Sequence, residues 1–281
     1  MKGNSIRESN VRIFEDTCSI IDGSNDLKNQ IVNSNKTQEI ILEGTEVTCN
    51  KSRITAPCKI YVTKNSSFDA ARDYDGSGKT CVLNFASATT PGGGVTKGSS
   101  AQEECLCRCS TLYKSLNEQV CWDKFYNPHR NGLDALHNDD IIYTPGVTII
   151  KRDSYEPLDE SDRVVVDVLT CAAPNLREDP KNAYNAESSG KIEISDDDLY
   201  ALHCKRAKKI LEVAASKNVD NIILGAFGCG AFRNDPEVVA KAYKDSIKEF
   251  RHAFKTIEFA VYCRPDDDTN YRVFKKVILG E

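Results

Sequence analysis

The spacing of hydrophobic positions changes several times along the chain, and each change marks a predicted element. Between residues 5 and 35, apolar side chains recur among charges, which predicts one or two amphipathic helices broken near Asp22-Gly23-Ser24. Apolar runs of strand length follow at 39–42, 59–63, 80–86, 141–144, 148–151, 164–169, 221–226 and 255–262. Helices are predicted at 67–74, 101–117, 196–217, 236–252 and 270–279. Strands that alternate with helices in this way predict a three-layer α/β fold.

Two glycine-rich loops, 91–98 and 225–232, each follow a predicted buried strand. Ligands of α/β sheets bind outside the carboxyl ends of the strands, so we expect both loops to lie at one binding site. The polar segment 174–195 has two prolines and no periodicity. It is expected to form a long surface loop, in part a lid.

Composition adds limits on the partners and the setting of the chain. The 281 residues carry a formal net charge of −5, which gives no overall attraction for nucleic acid or anionic lipid. A polyanion would have to bind in a local pocket of backbone N–H groups or a few cations. The N-terminus lacks the apolar core of a signal peptide, and no segment reaches transmembrane length. With twelve cysteines, the chain is therefore expected to be cytoplasmic, in a reducing intracellular setting.

Three cysteines, Cys105, Cys107 and Cys109, alternate along a predicted helix. Side chains at i and i+2 of a helix diverge by roughly 200° and cannot grip one ion together. The four histidines are not spaced as zinc ligands either. We expect no metal site, and we interpret these cysteines as small buried hydrophobic residues.

Adjacent glutamates, Glu103 and Glu104, begin the same predicted helix. Neighbouring helical side chains point about 100° apart, whereas ordinary glycosidases need two facing carboxyl groups roughly 5 to 9.5 Å apart. The pair therefore predicts one catalytic carboxyl group with a neighbour in another role. A structural alternative is a capping box, Ser100-x-x-Glu103, since acidic residues favour a first helical turn. The helix N-terminus lowers a carboxyl pKa, so burial must oppose it if the group is a general acid.

The second loop, Gly225 to Asp235, feeds directly into a predicted helix. Asp235 suits the N-cap and Pro236 the first helical position. Exposed backbone N–H groups before a helix N-terminus are suited to a diphosphate. The alternative is a tight strand-to-helix turn without a ligand.

Two motifs together carry a family resemblance. The first is Pro91-Gly92-Gly93-Gly94, followed after seven residues by Gln102-Glu103-Glu104. The second is Gly-Cys-Gly-Ala-Phe-x-Asn-Asp-Pro at 228–236. Both resemble microbial-type poly(ADP-ribose) glycohydrolases, and the strand before the glycines and the N-terminal helices extend the similarity. The resemblance implies a macrodomain with a mixed central sheet, divided into an N-terminal helical extension (1–50) packed on a catalytic domain (51–281). The chain departs from the family pattern at the three cysteines and at Arg233, a position often held by glycine.

The resemblance also implies site roles. Glu104 would be the general acid/base and Glu103 a ribose ligand beside it, without a metal or cofactor. Phe232 would pack on the terminal ribose, whereas Phe227 is expected in the core. Asn84 could contact the ribose or tie down the loop, and we favour the second role. The implied substrate-binding residues are Gly92, Gly93, Gly94, Val95, Gln102, Asn84, Gly228, Cys229, Gly230, Ala231 and Phe232.

The expected function is hydrolysis of the ribose–ribose bond of poly(ADP-ribose), attached to modified proteins, with release of ADP-ribose. The large helical accessory region of the animal enzymes has no counterpart in the sequence, so cleavage from chain ends is expected. A non-catalytic ADP-ribose reader is one alternative, although a reader does not need a carboxylate at the scissile bond. Hydrolysis of mono-ADP-ribosylated protein or nucleobase is another. A phosphate-binding structural protein leaves the matched loops unexplained. No membrane or direct nucleic-acid partner is expected.

Overall fold

A mixed sheet forms the centre of the computed structural model, which describes residues 2–132, 134–180 and 190–281. Its strands are β1 (Glu39–Ile41), β2 (Lys59–Thr63), β3 (Thr80–Phe85), β4 (Ile141–Ile149), β5 (Val164–Cys171), β6 (Asn221–Leu224) and β7 (Thr256–Ala260). They lie in the order β1-β4-β5-β3-β6-β7-β2, with β4 antiparallel to both of its neighbours and every other pairing parallel. The predicted mixed central sheet is confirmed.

Helices cover both faces of this sheet, which confirms the three layers. They are α1 (Lys2–Gly23), α2 (Asn25–Thr37), α3 (Ser67–Arg72), α4 (Gln102–Cys109), α5 (Leu112–Leu116), α6 (Gln119–Cys121), α7 (Asn127–Gly132), α8 (Asp196–Ser216), α9 (Pro236–Ser246) and α10 (Thr269–Phe274). Shorter 3-10 or π turns occupy Val95–Lys97, Trp122–Tyr126, Glu160–Asp162, Ile247–Phe250 and Lys275–Leu279. None of the described helices is long and apolar enough to cross a bilayer.

The core is split by the sheet into two layers. One layer packs α8 and α9 against the sheet and includes Ile210, Tyr243 and Leu83; we call this side the α8 face. The other packs α1, α3, α4 and α5 and includes Phe14 and Val82; we call it the α4 face. Successive β3 residues serve opposite layers because side chains alternate across a strand. Because β3 is buried on both faces, its sequence belongs to the continuous apolar run 80–86 rather than to an alternating pattern.

The helix predicted over 101–117 is interrupted, and that prediction was wrong in its length. α4 ends at Cys109, and Ser110 adopts an extended backbone that bridges to Ile149 at the end of β4. The Ser110 hydroxyl donates to the carbonyl oxygen of Leu106 at 2.8 Å. The break therefore ties the end of α4 to the sheet, a tertiary contact that helical periodicity does not reveal.

The two strands predicted at 141–144 and 148–151 are one strand, β4, with an irregularity between Thr144 and Val147. Pro145 has no N–H to donate, and Gly146 has a φ of 69°. The Gly146 amide instead donates to the Asp167 carboxylate of β5 at 3.1 Å.

The short helices α6 and α7 were not predicted. Residues 181–189 of the predicted lid lie outside the described residues, so the lid stays a prediction.

The N-terminal helices are joined to the sheet at two places. β1 pairs with β4 at the sheet edge, so residues 39–41 belong to the central layer. α1 meets the glycine-rich loop where the side-chain amide of Asn10 donates to the carbonyl oxygen of Gly98 at 3.0 Å. Phe14 of α1 packs edge to face on Tyr113, with ring centroids 4.9 Å apart. The boundary at residue 50 stays a prediction, and the packing of the extension on the remainder is observed.

The contact between α1 and Gly98 can be tested with a pair of glycine variants. Gly98 and Gly44 share a left-handed backbone, with φ of 73° and 80°. A Cβ on Gly98 would collide with the backbone carbonyl of Arg7, whereas one on Gly44 would meet nothing within 4 Å. We expect Gly44→Ala to lower the free energy of unfolding by about 1 kcal/mol, and Gly98→Ala by about 1–3 kcal/mol more. Chemical denaturation measures both, and equal losses would contradict the close docking of α1.

Candidate active site

The two glycine-rich loops leave neighbouring parallel strands at the same edge of the sheet. The first, the glycine loop (residues 86–98), follows β3, and the second, the phosphate loop (residues 225–235), follows β6. The segment after β5, on the other side of β3, runs beside them. The prediction that both loops lie at strand carboxyl ends is confirmed. The site is therefore formed by the three central strands of the sheet.

The glycine loop lies directly against two carboxyl groups. Gly92 and Gly93 have φ of 64° and 58°, conformations that side chains disfavour. A Cβ on Gly93 would lie 2.6 Å from Oε1 of Glu104 and 3.0 Å from Oε2 of Glu103. Glycine is therefore needed here for backbone conformation and for space. Val95 is fully buried and fixes the end of the glycine run in the core of the α4 face.

Glu103 is buried and faces the loop rather than its own helix end. Its Oε2 accepts the amide N–H of Ser87 at 2.7 Å, and its Oε1 accepts the Asn84 side-chain N–H at 3.2 Å. The N-cap of α4 is Ala101, without a side-chain hydrogen bond, so the capping-box interpretation was wrong. Burial raises the pKa of Glu103 to about 8. The hydrogen bond from Ser87 lowers this pKa, and the charge of Glu104 raises it further.

Glu104, also buried, uses its two oxygens differently. Oε1 accepts the amide N–H of Gly94 at 2.8 Å, which fixes the side chain against the glycine loop. Oε2 is buried and has no hydrogen-bond partner among the described residues. A buried carboxyl oxygen without a partner is costly, and such atoms in folded proteins call for an explanation. One oxygen of Glu104 is thus held in place and the other is left available.

Asn84 and Gln102 hold this arrangement together. Asn84 lies in β3, where its Nδ2 donates to Glu103 and, at 3.1 Å, to the Thr170 hydroxyl of β5. Gln102 accepts the Phe85 amide at 2.9 Å and donates to the Leu83 carbonyl at 2.8 Å. These bonds fix the start of α4 to the end of β3. The predicted substrate contacts of both residues stay predictions, while their positioning role follows from these contacts.

The phosphate loop is held by Asn234, a role that the sequence analysis did not identify. Its Nδ2 donates to the carbonyl oxygens of Pro174 at 2.7 Å and Gly228 at 3.1 Å. Its Oδ1 lies 2.8 Å from Nε2 of His203, whose pKa burial lowers to about 4. His203 is therefore neutral and donates from Nε2. Gly228, with φ of 78°, is glycine because a Cβ would lie 2.7 Å from the Asn234 side chain.

Four backbone amides of this loop are unpaired among the described residues. The backbone N–H groups of Gly228, Gly230, Ala231 and Phe232 make no hydrogen bond with another described residue. The loop leads into α9, whose N-cap Asp235 accepts the amides of Glu237 and Val238, as predicted. Free N–H groups at a glycine-rich turn before a helix N-terminus are suited to an anion.

The two phenylalanines of this region have different surroundings. Phe227 is fully buried and packs edge to face on Phe85, which confirms its place in the core. Phe232 is half-buried, with the His137 ring 6.2 Å away and the Arg177 guanidinium 5.8 Å from its centroid. His137 adopts a φ of 58°, and burial lowers its pKa to about 3. Neither His137 nor Arg177 was identified from the sequence, where no motif marks them.

The departures from the family pattern have structural explanations. Arg233 has a φ of 57°, a conformation that glycine adopts most easily, and its side chain is exposed. The Cys109 thiol contacts the carbonyl of Arg152, and the Cys105 thiol contacts the guanidinium of Arg108. Cys107 lies instead beside the glycine loop, near Gly92. The three sulfurs thus face different partners, as predicted, and all twelve cysteines are free thiols. Cys229 lies within the phosphate loop, where burial raises the pKa of its thiol.

Comparisons with known proteins match this arrangement. The family model for the microbial-type poly(ADP-ribose) glycohydrolase catalytic domain matches residues 8–152, just over half of the chain. The poly(ADP-ribose) glycohydrolase of Thermomonospora curvata is similar at a TM-score of 0.80 and 29% identity, covering 96% of this chain and 100% of that one. The Deinococcus radiodurans enzyme in complex with ADP-ribose has a TM-score of 0.73 at 29% identity, covering 89% and 97%.

A second structure from Thermomonospora curvata, bound to the inhibitor ADP-HPD, is similar at a TM-score of 0.78 and 28% identity, covering 96% of this chain and 99% of that one. Comparison with curated proteins gave no match. The matched family model begins inside α1 and extends through β4, so the N-terminal helices and the glycine loop both fall within the family pattern. The chain belongs to the microbial-type poly(ADP-ribose) glycohydrolases.

Proposed function

We propose that this glycohydrolase removes ADP-ribose from chain ends of poly(ADP-ribose) on modified proteins, with Glu104 as the general acid/base. The observation that carries the assignment is the buried, unpartnered Oε2 of Glu104 beside the glycine loop. An acid/base needs an oxygen that is free to meet the leaving group and that the surrounding protein holds in a fixed position. Glu103 offers no comparable atom, because both of its oxygens already accept hydrogen bonds.

One carboxyl group is sufficient for the reaction. Protonated Glu104 gives its proton to the glycosidic oxygen as the C1–O bond breaks, and the bonding electron pair leaves with that oxygen. The positive charge that develops at C1 is stabilised by the substrate's own diphosphate folded nearby. Water then attacks C1 and loses a proton to Glu104, which restores the acid. No second carboxylate has to face the first across the sugar.

The remaining site residues bind and orient the substrate in this proposal. The free amides of Gly228, Gly230, Ala231 and Phe232 bind the diphosphate, and the Phe232 ring packs on the terminal ribose. Gly92 to Val95 let that ribose lie against bare backbone, and Glu103 positions it. The solved complexes of related enzymes with ADP-ribose and with ADP-HPD support this choice of ligand. Exposed Arg233 and half-buried Arg177 add positive charge at the phosphate end.

Glu104→Gln is the direct test of the acid/base. We expect release of ADP-ribose from poly(ADP-ribose) to fall about 10³-fold, while the Kd for ADP-ribose stays within about tenfold. The amide keeps the shape and an acceptor for Gly94 but cannot cycle a proton. Glu160→Gln, an exposed glutamate in the turn before β5, is the matched control and should retain full activity. Retained turnover in Glu104→Gln would refute the assignment. A wild-type chain that binds ADP-ribose but does not cleave it from poly(ADP-ribose) would be a reader.

Cleavage from chain ends has its own readout. With polymers of defined length, we expect free ADP-ribose from the earliest time points and a substrate ladder that shortens by single units. Internal cleavage would instead release oligomers before monomer accumulates. Early oligomers would overturn the exo mode and leave the Glu104 assignment intact.

The pKa of Glu103 predicts a pH dependence of stability. The folded chain keeps this proton to about pH 8, whereas the unfolded chain releases it near the ordinary value of 4.5. The contribution of Glu103 is thus fully present below 4.5 and is lost as the pH rises through 8, by at most about 1.4 kcal/mol per pH unit. We expect Glu103→Gln to gain stability relative to wild type as the pH rises from about 5 to about 8. Denaturant titrations at each pH measure this, and a constant difference would contradict it.

A further inference from the structure

A shallow cavity of about 350 Å³ lies between α1 and the turn that ends the glycine loop. Its lining is Arg7, Glu8, Val11, Arg12, Glu15 and Lys97. Three of these six residues are cations and two are carboxylates. The proposed chemistry uses none of them.

The three cations, Arg7, Arg12 and Lys97, are exposed and make no side-chain hydrogen bond or ion pair with another described residue. Not every cation beside a surface cavity is left unpaired in this way. Lys205, in a second surface cavity between α8 and the turn after β1, pairs with Asp139 at 2.8 Å and also with Glu43. The cavity at α1 therefore presents positive charge that the fold does not use, and the two carboxylates reduce it without pairing with it.

This cavity is fixed in relation to the catalytic groups. The Asn10 amide binds the carbonyl of Gly98, the residue after Lys97, and Gly98 packs on the backbone of Arg7. At the other end of the same turn, Gly94 binds Glu104. α1 and this turn pack on the α4 face, whereas the phosphate loop packs on the α8 face. The cations and α4, which carries Glu104, thus lie on the α4 face, and the loop with the free amides lies on the α8 face.

We propose that Arg7, Arg12 and Lys97 form a leaving-group subsite for the diphosphate of the penultimate ADP-ribose unit. The inference rests on the proposed function, in which the terminal unit occupies the phosphate loop and its ribose lies at Glu104. The bond that breaks joins this ribose to the ribose of the next unit, which stays with the polymer. That next unit carries a diphosphate and leaves on the side opposite the phosphate loop. Unpaired cations at that side attract it and hold the polymer in register for repeated cleavage.

Two substrates with the same scissile bond separate this subsite from the catalytic site. One is long poly(ADP-ribose). The other is a synthetic compound, here called the adenosine dimer, in which one ADP-ribose is joined by the same ribose–ribose bond to adenosine. Its leaving group, adenosine, has no phosphate. The variant R7Q/R12Q/K97Q is expected to lose about fivefold in kcat/KM on the polymer at low ionic strength. On the adenosine dimer it should match wild type within about twofold. The loss should shrink in concentrated salt, because the Debye length falls to about 3 Å at 1 M.

The opposite charge change is the matched control. E8Q/E15Q removes the carboxylates of the same cavity and should raise kcat/KM on the polymer, with no change on the adenosine dimer. Thermal unfolding midpoints close to wild type would show that both variants fold. Equal effects on the two substrates, or none on the polymer, would overturn the subsite. A wild-type chain that cleaves neither substrate would instead refute the proposed function.

Discussion

The site depends on one constraint, the contact between two buried carboxyl groups and the backbone of the glycine loop. Glu103 binds Ser87 and Glu104 binds Gly94, so a single helical turn holds the loop at two separate points. Carboxyl groups can approach that closely only where the loop has no side chains, which is the reason for glycine at 93. The backbone conformation of the glycine loop and the position of α4 therefore depend on each other. The hydrogen bonds that order the loop also fix one oxygen of Glu104 and leave the second without a partner.

The phosphate loop is ordered by the same kind of contact. Asn234, near its end, folds back to bind carbonyl oxygens of Gly228 and Pro174, and a neutral His203 completes its hydrogen bonds. The asparagine pairs with carbonyl oxygens, whereas the amides of Gly228, Gly230, Ala231 and Phe232 pair with no other described residue. In both loops, a buried polar side chain fixes the backbone through hydrogen bonds. The groups proposed to act on substrate, Oε2 of Glu104 and the free amides, have no hydrogen-bond partner among the described residues.

Sequence patterns predicted the sheet, both loops and the start of α4 from local periodicity and glycine positions, and N-cap chemistry predicted Asp235 at the start of α9. The α4 break at Ser110 and the irregularity at Pro145-Gly146 were not predicted, since both depend on pairing with distant strands. The capping-box interpretation of Glu103 failed for a related reason: spacing cannot reveal that a side chain turns away toward Ser87. Asn234 stood in a recognised motif, yet its structural role needs the positions of Pro174 and His203.

An acidic chain that acts on a polyanion has to place its attraction locally. With a formal net charge of −5, long-range attraction cannot concentrate the polymer at the site. Backbone amides carry no net charge, so in the proposed site the phosphate loop would bind a diphosphate without an arginine or lysine at its centre. Exposed cations act mainly on a ligand within about a Debye length, because solvent and salt screen them at longer range. Arg177 and Arg233 lie at the phosphate loop, and Arg7, Arg12 and Lys97 lie where α1 meets the glycine loop, so the cations available to a polyanion are local to the two loops.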